Sequence, residues 1–330
     1  MTRFGLGFSA VLEPFLLHPV LVSRPWGGRR LADLGKALPD GTIGESWEVA
    51  DLADDVAPSI ADPRSRVATG PFTGQSLSDV IAGTDDLMGP TLPTPDGRFP
   101  ILVKILDARE NLSVQVHPPA EYVNAHPDAR LKTESWYVMG ASDGAELFLD
   151  CEEAATDVDV AARVGTRAVV DLMTRVRAEV GAFHHVPAGL IHALGAGVMV
   201  AEIQTPSDTT FRIYDWGQEY GRDPRPLHGD EAIEAIRLHP EQAFSLQPAT
   251  DPGRRLLAAT EHYWIVEHRG PEVEWSAAPG PRVVMTMGGT VGLGDFELSR
   301  GGTAIVPASA LDAPVRATHN SVVLEVGLPA

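Results

Sequence analysis

Short apolar runs, many of them β-branched, recur along the chain and are cut by glycine and proline at close intervals. They fall at 101–106, 112–116, 136–139, 198–203, 263–268, 283–287, 303–306 and 321–326. Brief runs bounded by turn residues predict the strands of a sandwich or barrel. Helical periodicity is confined to 76–87, 158–164, 167–176 and 230–236. The stretches 89–100 and 220–226 read as loops. Gly195-Ala-Gly197 sits between strands rather than ahead of a helix, which excludes a dinucleotide-binding loop. The pattern is mainly β, with a few inserted helices.

One pattern occurs twice. Gly181-x5-Pro187-x-Gly189-x2-His192 returns as Gly301-x5-Pro307-x-Ser309-x2-Asp312, with the glycine and proline kept and the histidine lost. Two related β units explain this, one able to bind metal and one not. The expected division is a catalytic unit over 1–240 and a degenerate unit without a metal site over 241–330.

Composition narrows the partners. The 330 residues carry 26 basic and 45 acidic side chains, a net charge of −19, which repels nucleic acid and anionic membranes. An anionic small molecule requires cations gathered at its site. A single cysteine, Cys151, excludes an internal disulfide and fits a reducing compartment, with a cytoplasmic location as the expectation. Glu13 and Pro14 interrupt the first apolar stretch, which argues against a secretory leader. The apolar window 186–203 contains Pro187, His192 and Glu202 and reads as buried strands and turns, not a membrane span. The oligomeric state is left open.

Three segments carry candidate chemistry. In Leu112-Ser-Val-Gln-Val-His117, strand alternation puts Gln115 and His117 on one face. Glu134 enters the next strand in Lys132-Thr-Glu-Ser-Trp-Tyr137, and His192 returns after a tight turn in Val186-Pro-Ala-Gly-Leu-Ile-His192. Two imidazoles, a carboxylate and an amide oxygen suit a borderline divalent ion. Zinc is favoured, one per chain, with manganese, iron or cobalt as alternatives. The order polar-x-His, Glu, then Gly-x5-Pro-x-Gly-x2-His is the two-part signature of the cupin barrel, a double-stranded β-helix or jelly roll. The other histidines fall outside this pattern and are assigned to structure or surface.

The cations add an independent signal. Of the 26 basic residues only Lys36, Lys104 and Lys132 are lysines, so a lysine kept beside the metal motifs points to a site where a guanidinium does not serve. Lys132 shares a strand face with Glu134.

These segments resemble type I mannose-6-phosphate isomerases of the short bacterial form. The resemblance rests on Lys104-Ile-Leu-Asp-Ala108, Leu112-Ser-Val-Gln-Val-His-Pro118, Lys132-Thr-Glu-Ser-Trp-Tyr137, Val186-Pro-Ala-Gly-Leu-Ile-His-Ala-Leu-Gly195 and Ala201-Glu-Ile-Gln-Thr-Pro-Ser-Asp-Thr-Thr-Phe-Arg-Ile-Tyr-Asp215. Arg24-Pro-Trp-Gly-Gly28 and Gly44-Glu-Ser-Trp47 also look like family features near the pocket. The resemblance implies two cupin-type units, Gln115, His117, Glu134 and His192 as zinc ligands, and isomerisation of a phosphosugar through a cis-enediol. Lys132, Glu202 and Asp208 are then the proton-transfer candidates, with Arg212 and Lys132 as cations for the enediolate or the phosphate. Asp208 and Arg212, four apart, read equally as an ion pair. Two other functions fit the donor set less well: a metal-dependent cupin oxygenase, and a non-catalytic sugar-binding cupin.

Overall fold

The computed structural model describes residues 12–329, so the expectation about a leader over residues 1–11 lies outside the described residues. The chain folds as two units. The first comprises His18–Ser65 and Phe99–Asp251. The second gathers residues 12–17 and 252–329 together with the excursion Arg66–Arg98. The sequence division at 240/241 differs from this in three respects, the first being that residues 12–17 lie in the second unit. The first unit runs on to Asp251 because β14 (Phe244–Leu246) pairs with its sheet, and residues 66–98 lie with the C-terminal stretch.

In chain order the early strands are β1 (Phe15–His18), β2 (Val20–Val22), β3 (Glu45–Val49), β4 (Arg66–Val67) and β5 (Leu102–Asp107). The motif-bearing stretch supplies β6 (Val114–Val116), β7 (Glu134–Ala141), β8 (Glu146–Cys151), β9 (Met173–Arg177), β10 (Phe183–Val186), β11 (His192–Leu194), β12 (Val198–Gln204) and β13 (Phe211–Tyr214). After β14 come β15 (Gly253–Ala259), β16 (Trp264–Arg269), β17 (Arg282–Gly288), β18 (Thr290–Leu293), β19 (Phe296–Ser299), β20 (Thr303–Val306), β21 (Val315–Ala317) and β22 (Val322–Gly327). Four short helices interrupt them: α1 (Leu77–Gly83), α2 (Ala120–Ala125), α3 (Asp157–Ala161) and α4 (Gly229–Ala235).

The first unit holds a sheet ordered β14-β10-β7-β12-β5-β3-β2 and a smaller one ordered β13-β6-β11-β8-β9. Between their inner faces lies a core that includes Trp26, Leu106, Trp136, Val138, Leu147 and Val200. The second unit has a sheet ordered β15-β16-β22-β17-β20-β1-β4 and a three-stranded one, β19-β18-β21. Its core includes Val284, Val291, Leu298, Ala304 and Val323. The pairings whose registers are known are all antiparallel, which fits the two cupin-type units expected from the repeat.

All eight predicted runs contain strands. Of the predicted helices, 167–176 is wrong in kind. Only Arg167–Leu172 turns, as a 3-10 segment, and β9 then pairs with β8. Its Val169, Val170, Thr174 and Val176 gave a helix-compatible spacing, but β-branched side chains pack better on a paired strand, and tertiary pairing decided. α1 follows Ser76, whose hydroxyl accepts from Asp79 N while the Asp79 carboxylate accepts from Ser76 N, a reciprocal cap. It ends at Gly83, before the predicted limit.

Candidate metal centre and active site

Antiparallel register brings the motif residues together. His192 at the start of β11 lies opposite Gln115 on β6, and Arg212 on β13 faces Gln115 from the other side. On the larger sheet Glu134 opens β7 opposite Val186 and Gln204, and Glu202 on β12 lies between Trp136 and Lys104. Gly189, at φ 89°, makes the turn before His192, where a Cβ would meet the Arg237 side chain at 2.8 Å.

His117, Glu134 and His192 converge, buried, with ligand atoms all within 4.8 Å of one another. His117 Nε2 lies 3.2 Å from Glu134 Oε2, and His192 Nε2 lies 3.5 Å from Glu134 Oε1. Metal bonds of about 2.0–2.2 Å in tetrahedral geometry separate ligand atoms by roughly 3.3–3.6 Å, so these spacings fit an ion between them. The far ring nitrogens are occupied. His117 Nδ1 meets Thr209 O at 3.1 Å and His192 Nδ1 meets Leu190 O at 2.8 Å. Each carbonyl accepts a hydrogen bond from Nδ1–H, which leaves the Nε2 lone pair facing inward. Burial, the largest influence on both, holds the rings neutral: His117 is lowered to about 3 and His192 is also lowered.

His117 Nε2 and both Glu134 oxygens are buried and make no hydrogen bond. Lys132 Nζ, 3.0 Å from Oε2, offsets part of this charge, and Oε1 and His117 Nε2 are left to be completed by a further cation. Burial favours the protonated form of Glu134, but Lys132, His117 and His192 outweigh it and keep the group ionised. Gln115 contributes at the edge of the cluster, with Nε2 3.2 Å from His192 Nε2 and Oε1 accepting from Ser113 Oγ at 3.2 Å. A half-turn of the amide presents Oε1 to the same point and leaves Nε2 to donate to Ser113.

A cavity of about 160 Å³ reaches this region, walled by Gln115, Lys132, Glu202, Asp208, Arg212 and other polar side chains. Lys132 Nζ is 3.0 Å from Glu134 Oε2. Burial opposes its charge, yet Glu134, Glu202 and Asp208 raise its pKa and hold it protonated. Trp136 Nε1 donates to Glu202 Oε2 at 3.1 Å, while Oε1 lacks a hydrogen bond and lies 3.3 Å from Lys104 Nζ. Burial, then Glu134, raises the Glu202 pKa. Asp208 and Arg212 do not pair: Asp208 Oδ1 is 3.7 Å from Arg24 Nη2, and Arg212 Nη1 donates to Pro226 O at 2.7 Å. Burial, then Arg225, lowers the Arg212 pKa to about 10.

Arg24 and Glu45 fall in the two segments that the resemblance set near the pocket, without a role of their own, and Arg225 was not singled out. Arg24 Nε donates to Glu45 Oε1 at 2.5 Å, and Trp47 Nε1 donates to Glu45 Oε2 at 2.6 Å. Glu45 is lowered to about 2; burial opposes this, and Arg24 and Lys104 overcome it. An acidic residue opening the apolar strand Glu45–Val49 was the available signal. Arg225 lies in a loop whose composition gave no signal.

Comparison with known proteins agrees with this geometry. Residues 15–138 match the family model of the phosphomannose isomerase type I catalytic domain. The chain is 39% identical over 231 residues to a Bacillus subtilis protein named probable mannose-6-phosphate isomerase GmuF, covering 68% of this chain and 69% of that one. It is 36% identical over 228 residues to mannose-6-phosphate isomerase ManA of the same organism, with the same shares covered. The chain belongs to the type I phosphomannose isomerases. The crystal structure of the mannose 6-phosphate isomerase from Bacillus subtilis superposes with a TM-score of 0.79 at 25% identity, covering 96% of this chain and all of that one. A variant of the Salmonella typhimurium phosphomannose isomerase, at 16% identity and a TM-score of 0.75, shares the fold across 97% of this chain and 100% of that one. This family is an isomerase family, so the oxygenase and non-catalytic readings are not favoured. Among the described residues no helix is long and apolar enough to cross a membrane.

Proposed function

We propose that this type I phosphomannose isomerase interconverts mannose 6-phosphate and fructose 6-phosphate, holding zinc at His117, Glu134 and His192 with Gln115 as the fourth donor. The open, buried atoms of His117 and Glu134 carry the metal reading. When bound, the ion supplies a Lewis acid for the substrate oxygens at C1 and C2. The remaining steps belong to the chain. Glu202 takes the proton from C2 of the open-chain aldose and delivers it to C1, while the hydroxyl proton passes from O2 to O1. Glu202 lines the cavity and Trp136 fixes one of its oxygens, which suits a positioned acid and base. Lys132, held protonated, offsets the negative charge that develops on the enediol oxygens. Asp208, beside Arg24, is placed to accept sugar hydroxyls. The cytoplasmic location rests on the single, free and buried Cys151.

The test is a coupled isomerase assay on mannose 6-phosphate before and after chelation and zinc return, with the same assay on Glu202→Gln. Activity should vanish with the metal and come back with zinc. The variant should keep its metal and KM while kcat falls by about 10²–10⁴. A metal-loaded wild type inactive on mannose 6-phosphate would sink the reading, and a fully active Glu202→Gln would move the proton transfer to Asp208 or Lys132.

A further inference from the structure

β12 ends on Gln204, a wholly buried amide opposite Glu134 that takes no part in the proton transfers. Its Nε2 donates to Thr205 O at 2.8 Å and to Ser207 O at 2.6 Å. Both partners are acceptors, which fixes the nitrogen end of the amide. The other end is unmet: Oε1 is buried and makes no hydrogen bond. An apolar side chain would fill this place without that penalty, so the amide is kept for its two donors.

Those donors hold the turn between β12 and β13, which Ser207 N closes on Thr205 O at 2.8 Å. Ser207 Oγ accepts from Thr209 N at 3.2 Å and donates to Arg130 O at 3.2 Å. Thr209 O is in turn the carbonyl that meets His117 Nδ1 at 3.1 Å. Three hydrogen bonds therefore lead from Gln204 through Ser207 and Thr209 to one imidazole of the metal cluster. The turn is also laced to the segment before β7, where Thr205 Oγ1 donates to Leu131 O at 3.0 Å and Thr209 Oγ1 accepts from Arg130 N at 3.3 Å.

We propose that Gln204 is a positioning residue for the metal: by fixing this turn it sets the Thr209 carbonyl that orients His117, and so tunes the affinity of the site for its ion. The proposal rests on the metal reading above. A carbonyl bonded to the far nitrogen of a ligating imidazole fixes both the direction of the ring and its tautomer. The two histidines differ in where that carbonyl comes from. His192 takes it from Leu190, two residues back in its own turn, whereas His117 takes it from a residue 92 positions on. A local turn needs no further support. A distant one does, and Gln204 supplies it from inside the unit.

The experiment titrates zinc into metal-free wild type, Gln204→Leu, Ser207→Ala and the double variant against a chromophoric chelator, and records the visible spectrum of each with cobalt in the site. Gln204→Leu should weaken zinc binding by about 10- to 100-fold while the apoprotein stays folded by circular dichroism. Ser207→Ala breaks the next link and should weaken it at least about fivefold. Because both act on one turn, the double variant should lose no more than about twice the larger single loss, rather than the product of the two. The cobalt bands should shift in each variant, because a re-aimed imidazole changes the donor geometry, which a general loosening of the fold would not do. Zinc affinity of Gln204→Leu within about twofold of wild type, unshifted cobalt bands, or single losses that multiply in the double variant would each overturn the proposal. Should Gln204→Leu not fold, Ser207→Ala decides alone, and an unchanged zinc affinity there sinks the idea. A wild type that binds no zinc would overturn the metal reading and this proposal with it, whereas a zinc-binding wild type with unaffected variants overturns this proposal only.

Discussion

The first unit runs β10-β7-β12-β5 and the second runs β20-β17-β22-β16 in the same order, each with a glycine turn and a proline at matching places. Gly181 (φ 91°) donates to Val138 O at 2.9 Å, and Gly301 (φ 82°) donates to Thr286 O at 2.8 Å. Register extends the match to single side chains. Glu134 faces Val186 before Pro187, and Arg282 faces Val306 before Pro307. Two residues further on, Trp136 faces Glu202 and Val284 faces Glu325. The chemistry is opposite. Where the first unit keeps a buried carboxylate with open oxygens, the second puts Arg282, whose Nε donates to Glu325 at 2.6 Å. Glu325 also accepts from Ser276 N at 2.9 Å and Ser276 Oγ at 2.9 Å, and lies 3.0 Å from His268 Nε2. Among the described residues the smaller sheet of the second unit has no counterpart to β6 and β13, the strands that bring Gln115 and Arg212. One backbone thus supports a site held open for a ligand and a closed set of paired charges. The open arrangement is the one that needs a function to explain it.

Breaking the open site should have the largest effect. His192→Ala removes an imidazole that water cannot replace without changing the donor geometry, so bound metal should be lost and kcat should fall by at least about a thousandfold. The matched change in the second unit, Asp312→Ala, should leave one ion per chain and normal turnover, because Asp312 is exposed and outside the converging cluster. Metal analysis and the isomerase assay read both. A His192→Ala enzyme with stoichiometric zinc and full activity would dissolve the distinction.

How much of this could be read from the chain depended on whether the information was local. Gln115-x-His117, Glu134 and His192 were legible because strand alternation and one tight turn decide where each points. Lys132 lies ahead of β7 and outside any strand, so alternation did not place it; the scarcity of lysine in the chain is what drew attention to it. Arg24 and Glu45 were reached only through the resemblance of their segments, and Arg225 not at all, since their places depend on pairings between distant segments, such as Trp47 on β3 facing Lys104 on β5. The Asp208–Arg212 spacing suggested a pair, but Arg212 lies on a strand and faces Gln115, which takes it away from a helical i,i+4 geometry. Residues 66–98 follow the first strands in sequence yet fold with the last ones, a long-range choice that no local pattern encodes.

A middle-sized effect is expected from breaking the closed site. Arg282→Met leaves Glu325 buried without its guanidinium, a change that typically costs about 3–5 kcal/mol. Thermal unfolding should move down by several degrees, while kcat measured well below the transition stays within about twofold of wild type. Changing Glu325→Gln in the same chain should restore part of the loss, because no lone charge is then left behind. A large drop in kcat for folded Arg282→Met would mean that the second unit has a part in the chemistry.

The smallest effect is a pH dependence that separates the two carboxylate environments. Burial tends to raise the Glu325 pKa, but the contacts from His268, Ser276 and Arg282 prevail and lower it. A folded-state pKa below the unfolded value of about 4.3 means that the unfolded chain binds more protons in this range. The contribution is therefore complete above the unfolded pKa and is lost as pH falls from there through the folded one. Each unit of difference is worth about 1.4 kcal/mol. Denaturant unfolding of wild type and Glu325→Gln between pH 3 and pH 7 should give parallel stability curves at the neutral end. The gap should narrow below about pH 4.3 as wild type loses this contribution and the glutamine variant, with nothing to protonate at that position, does not. Curves that stay parallel to pH 3 would show that Glu325 does not lose its charge in this window, and that Arg282 and His268 hold it ionised under acid stress.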